Sequence, residues 1–413
     1  MPIYQAVIVG VLFFTTLLGR DFGQPANTPS DWEVKRLAYD VSLGEGERSH
    51  KDNMYVKSGP GLKSKHVLDT ALLPKWSPNG QKLAFLSSCQ EDLSSDGASF
   101  KCVEVANEDR SHRIRLTRHP TKVSEEWMSA VNLAWSPSGD EIAYIEEGHK
   151  AWTTVSTIRS DGSGRKEIQR LECLVVRPTV DWSPDGQKLA FTGCSATGSA
   201  IMVIDRSGGD ARVVTGGADP LWSPDGKMLL FVKGADAVGP DPLRSTDGQN
   251  RLWVKTVFPS QATLSPFSLS VVNADGTEER KILDGEPAMF GLAWLPSGHG
   301  ITFGSTRDNK DVSEIFRINV DGTDLQKVAS GAREGLSFAS PVFSPDEREL
   351  IVVGDSCLRC LLLADLTALP ALVALHGIFL EDSAPRILMI DLPTGHEQRL
   401  AVGRHPDVVW VHK

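Results

Sequence analysis

Apolar and polar residues alternate with period two through most of this chain. The alternating runs are short and are bounded by Gly, Pro, Asp and Asn, the pattern of half-buried β-strands joined by tight turns. One phrase returns six times in register: WSPNGQKLAF at 76–85, WSPSGDEIAY at 135–144, WSPDGQKLAF at 182–191, WSPDGKMLLF at 222–231, WLPSGHGITF at 294–303 and FSPDERELIV at 343–352. A second unit follows most copies, a strand, a Gly-containing turn and another strand, as in AIMVIDRSGGDARVV at 200–214 and IFRINVDGTDLQKVA at 315–329. In the first unit Pro presets φ, Asp caps the bend and Gly takes the left-handed conformation. In the second, Gly after Asp supplies positive φ in a hairpin.

Successive aromatic positions of the phrase lie 59, 47, 40, 72 and 49 residues apart. A four-stranded propeller blade needs about 40–45 residues, so the shortest spacing is a bare blade and the others carry insertions. Each unit reads as strand A, ending at the Trp, then strands B, C and D. The residues before the first phrase, VKRLAYDVS, NMYVKSG and SKHVLD, read as B, C and D without an A. HPDVVWVHK at 405–413 reads as an A alone. The expected fold is therefore an all-β, seven-bladed β-propeller closed by strands from both termini, which removes the open edges that would otherwise invite aggregation. Six blades result if the N-terminal strands do not form. The tryptophans are expected to pack between blades rather than to hold a ligand.

The repeated WSPDGxxLAF phrase with its DG turn resembles the TolB-like, WD-repeat-like propeller family, over residues 31–413. That resemblance implies a propeller that is often periplasmic or secreted and often serves as a protein-interaction platform. The stretch before the first phrase is too short for the α/β domain that precedes the TolB propeller, so TolB's envelope role is not carried over. No hydrolase domain of the prolyl-oligopeptidase kind is expected after the propeller.

Strands alternate in direction, so A–B and C–D turns share one face and B–C and D–A loops share the other. Nearly all extra length falls in the second set, with insertions at 233–266 and 354–385. Length concentrated on one face of a rigid scaffold points to binding there. Candidate channel-mouth residues on the D–A side are Glu125, Glu126, Trp127, Arg177, Asp181, Asp219, Glu286, Arg333, Glu334, Arg404, His405 and Asp407. Acidic groups around a channel suit a cation such as Ca²⁺, but a solvated rim with scattered ion pairs is the plainer expectation, and no metal or cofactor is expected.

Composition alters this picture little. The balance of 43 basic and 53 acidic residues gives a net charge of −10, which argues against a nucleic-acid partner. Met1–Gly19 carries no charged residue and suits a signal peptide or signal-anchor, followed by a linker to residue 30; the protein is expected to be exported to the periplasm, the cell envelope or the medium. Six cysteines permit disulfides in such a compartment. Proximity favours Cys89–Cys102 and Cys173–Cys194, and leaves Cys357 and Cys360 as a structural disulfide or two buried thiols. Leu361–Leu380 is apolar enough to raise a membrane contact, although a helix folded over the loop face is the first expectation.

The chain has no GxSxG elbow, no HExxH and no phosphate-binding loop in register. The Asp-rich turns at 273–276 and 319–322 lack the spacing of a calcium loop. The expected function is a non-enzymatic exported platform for a protein or glycan. The alternative is a propeller enzyme, a metal-dependent lyase or hydrolase acting on an extracellular polymer at the channel mouth.

Overall fold

A computed structural model describes residues 32–43, 51–58, 63–69, 71–89, 101–117, 128–148, 152–173, 175, 178–196, 198–234, 267–286, 289–309, 312–356, 386–402 and 404–412. Met1–Gly19, Cys357, Cys360 and Leu361–Leu380 lie outside them, and among the described residues no helix is long and apolar enough to cross a membrane. The strands form seven antiparallel four-stranded sheets, the blades of a seven-bladed β-propeller. In chain order, strands A of blades 1 to 6 are Ala71–Trp76, Met128–Trp135, Val180–Trp182, Ala218–Trp222, Met289–Trp294 and Leu336–Phe343. Blade 7 joins the two ends of the chain. Its A strand is Arg404–His412, and B, C and D are Trp32–Leu43, Lys51–Ser58 and Lys63–Asp69. The closure is antiparallel, with Val34 opposite Trp410 and Leu37 opposite Val408. The last strand is thus the innermost strand of the blade begun by the first.

The core is a ring of seams rather than one central mass. Seven apolar clusters each straddle one pair of neighbouring blades. The last residue of the repeated phrase supplies each B strand with a fully buried side chain: Phe85, Tyr144, Phe191, Phe231, Phe303 and Val352. Burying one such side chain contributes about 1.5–3 kcal/mol, so one conserved sequence position stabilises six successive seams.

The phrase's turn explains its other residues. In blade 3 the Gly186 amide donates to the Ser183 carbonyl (2.8 Å) and the Gln187 amide donates to Asp185 Oδ1 (3.0 Å). Gly186 adopts φ +67°, and the same turn position in blade 6 is filled by Glu347 at φ +59°. Pro and Gly also meet across blades. A Cβ added at Gly139 would lie 3.4 Å from Pro78 of the preceding blade, and one at Gly186 or Gly226 would lie 3.6 Å from Pro137 or 3.4 Å from Pro184. The SPDG turns therefore tile edge to edge around one face of the disc.

Candidate functional site

The two faces differ sharply. Every A–B turn in blades 1 to 6 is five residues long: 77–81, 136–140, 183–187, 223–227, 295–299 and 344–348. The C–D turns are as regular, four or six residues in every blade. On the opposite face the B–C connections run from two residues (196–197) to 33 (234–266), and the D–A connections from one (217) to 12 (116–127). A turn that tiles against its neighbours tolerates no change in length, whereas a connection over the open face does.

The two disulfides among the described residues pin this loop face. Cys89–Cys102 closes the base of the blade 1 B–C connection. Cys173–Cys194 ties the end of blade 2 to the end of the blade 3 B strand. These are the pairings expected from sequence, and such bonds persist in an oxidising compartment. A polar chain braces the same face between blades 4 and 5. Buried Glu286, at the end of the blade 4 D strand, accepts from Ser305 Oγ and pairs with Arg307 at 3.2 Å. Arg307 neighbours Asp308, whose carboxylate meets Lys327 at 3.2 Å; Lys327 also meets buried Glu314, which accepts a hydroxyl from Ser330. These charges satisfy one another and hold the loop ends in place.

The inner strands are themselves edges, so their channel-side N–H groups need partners. Two carboxylates serve. Asp181 accepts the Trp222 amide of the next blade at 2.8 Å, and Asp407 accepts the Trp76 amide of its own next blade. Burial pushes the Asp181 carboxyl up to about 6, against the pull of the Trp222 and Trp182 amides and of Lys75. Burial raises Asp407 as well, although Lys75 lies 4.0 Å away. Both carboxylates are enclosed by inner strands while one side remains open to the channel. Three of the five phrase tryptophans add bonds between inner strands: the Trp135, Trp182 and Trp294 indoles donate to the carbonyls of Lys75, Ala134 and Leu221, each in the preceding blade.

A further regularity has no sequence signature. Three residues before the aromatic, Leu73, Asp219, Gly291 and Ser340 all have positive φ (52°, 57°, 59° and 52°) and sit at register shifts of their A strands. These bulges bend the inner strands around the channel. Four different residue types occupy the position, so no motif marks it.

The expected channel-mouth residues scatter accordingly. Asp181 and Asp407 bond at the tight-turn end of the inner strands, not at the loop end, because that is where the unpaired tryptophan amides lie. Asp219 occupies the blade 4 bulge, where its amide donates to Thr192 Oγ1 at 3.0 Å. Glu286 belongs to the brace between blades 4 and 5, and Arg333 and Glu334 lie on the short 3-10 turn Ala332–Glu334. Glu125, Glu126, Trp127 and Arg177 lie outside the described residues, as do the side chains of Arg404 and His405. Among the described residues no three His, Cys, Asp or Glu side chains converge as metal ligands. The carboxylates of the Asp-rich turns are engaged locally: Asp275 Oδ1 accepts the Thr277 amide at 2.9 Å, and Asp321 Oδ1 accepts the Thr323 amide at 2.9 Å. Sequence reasoning missed Lys75 and the buried Glu104, which pairs with Arg113 and Arg115. Burial works to raise Glu104, but hydrogen bonds from Arg113, Arg115 and Ser87 hold it below the usual range.

Comparison with known proteins places this geometry. No family model matches the chain. TolB of Gluconobacter oxydans is 35% identical over 103 residues, 22% of this chain and 21% of that protein. The β-propeller domain of the trilobed protease from Pyrococcus furiosus matches over 91% of this chain and 96% of that domain, with TM-score 0.55 and 12% identity. The chain is a seven-bladed β-propeller. Dipeptidyl-peptidase 5 of Porphyromonas gingivalis is 25% identical over 278 residues, 57% of this chain and 39% of that protein. The propeller thus spans well under half the length of these curated relatives, and the structural likeness at this identity carries the fold alone.

Proposed function

We propose that this propeller is an exported, non-enzymatic platform that holds a protein or glycan partner on its B–C/D–A loop face. The observation that carries the reading is the one-sided distribution of length. On the tight-turn face the A–B turns of blades 1 to 6 are all five residues long and the C–D turns four or six, while the opposite face varies from one residue to 33 and carries both disulfides of the described residues. A rigid ring that fixes variable loops is the arrangement of a recognition surface. The disulfides fit an oxidising compartment and so support export.

The test is affinity capture from the cell envelope, and on a glycan array, with the full chain and with two shortened forms lacking residues 235–265 or 358–384. Loss of a bound species with either deletion, in a protein that still melts cooperatively, is the expected result. A captured set unchanged by both deletions overturns the loop-face reading. Turnover of an extracellular polymer by the purified chain would favour a propeller enzyme instead.

A further inference from the structure

Blade 7 is flanked by two clefts. The one against blade 1 has a volume of about 440 Å³ and brings Arg36 together with Glu108 and Asp109. Its charges answer one another: Arg36 pairs with Glu108 at 2.9 Å, and Ser58 donates to the same carboxylate. The cleft against blade 6 is larger, about 520 Å³, and its chemistry differs. Cross-strand register sets Tyr39 beside Tyr55 and Tyr55 beside His66, with Leu37, Lys57 and Ser64 in the adjoining row. The outer strand of blade 6 forms the opposite wall and contributes Arg399.

This wall combines aromatic faces with positive charge. Tyr55 stacks on Tyr39 with centroids 5.6 Å apart and meets His66 edge-on at 5.2 Å, so its ring is held rigidly and is only part-buried. The Tyr39 and Ser64 hydroxyls share a hydrogen bond of 2.8 Å. Lys57 donates to the Leu400 carbonyl, which fixes its ammonium in the cleft. Burial and the like charge of Arg399 both lower the Lys57 pKa. Neither Lys57 nor Arg399 forms an ion pair with a described residue, in contrast to the neighbouring cleft. Two cations facing one space repel each other unless an anion joins them, and a guanidinium fork matches the two oxygens of a carboxylate or phosphate. The volume lies within the range of small-ligand sites.

We propose that the cleft between blades 6 and 7 binds a small oxyanion carried on a ring, a sugar acid or a sugar phosphate, with the oxyanion between Lys57 and Arg399 and the ring against Tyr55. The cleft opens on the side wall of the disc, so it does not depend on the loop-face reading. The test is calorimetric titration of the full chain with D-glucuronate, glucose 6-phosphate, glucose and inorganic phosphate. At least one charged sugar is expected to bind tenfold or more tighter than glucose, and the stronger of the two identifies the oxyanion. Arg399→Ala, at an exposed position, and Lys57→Met are each expected to weaken that binding at least tenfold with the melting temperature held. Tyr55→Ala is expected to weaken the sugar but not phosphate. Charged sugars that bind no tighter than glucose, or affinity that survives the Arg399→Ala, Lys57→Met double variant, overturn the proposal. Phosphate that matches the best sugar, with no effect of Tyr55→Ala, overturns the ring contact.

Discussion

Replacing Asp181 by asparagine removes a charge that the inner ring disfavours while keeping the oxygen that the Trp222 amide needs. Burial moves this carboxyl from 3.8 to about 6. A folded-state pKa above the unfolded one means that the folded protein holds the proton more tightly. Stability is therefore undisturbed below about pH 4, falls as pH rises from about 4 to about 6, and is flat above that. At about 1.4 kcal/mol per pKa unit, a shift of roughly two units sets a ceiling near 3 kcal/mol. Water on the channel side of the carboxylate screens part of it, so a gain of about 1–2 kcal/mol is expected for Asp181→Asn above pH 7. Urea unfolding of both proteins at pH 4, 5, 6 and 8 measures the difference. The gain should open between pH 4 and 6 and vanish at the acid end. An asparagine variant that is less stable at pH 8, or equally shifted at pH 4 and pH 8, refutes the assignment of Asp181 as an enclosed charge.

Gly291→Ala would place a Cβ 2.5 Å from the Ser340 amide nitrogen at φ +59°, so a loss of about 2–4 kcal/mol in urea unfolding is expected, because backbone on both sides must shift. Serine at both Cys173 and Cys194 opens a bond spanning 21 residues and should lower stability by about 3 kcal/mol by thermal unfolding under oxidising conditions, with no change once the parent protein is reduced. Deleting residues 404–413 removes the inner strand of blade 7 and exposes the edge of Trp32–Leu43; size-exclusion chromatography should show oligomers where the full chain runs as a smaller species.

Much of this molecule is legible in its sequence because the signals are local. Pro and Gly at fixed offsets set φ within one turn, and period-two alternation assigns a strand's two faces, so blade count, closure by both chain ends and the uneven loop lengths follow from reading alone. The disulfide pairs were legible for the same reason, since each joins cysteines close in the chain. What tertiary structure alone decided lies between blades. The Asp181 carboxylate meets an amide 41 residues away, and Asp407 meets one 331 residues away. The bulge before four of the six phrase aromatics is occupied by Leu73, Asp219, Gly291 or Ser340, because the bend answers to curvature of the ring and not to any side chain. The tyrosine cleft arises only where the closing blade meets blade 6. A repeated phrase specifies each blade, but the chemistry at a seam belongs to two blades at once, and no stretch of chain contains both.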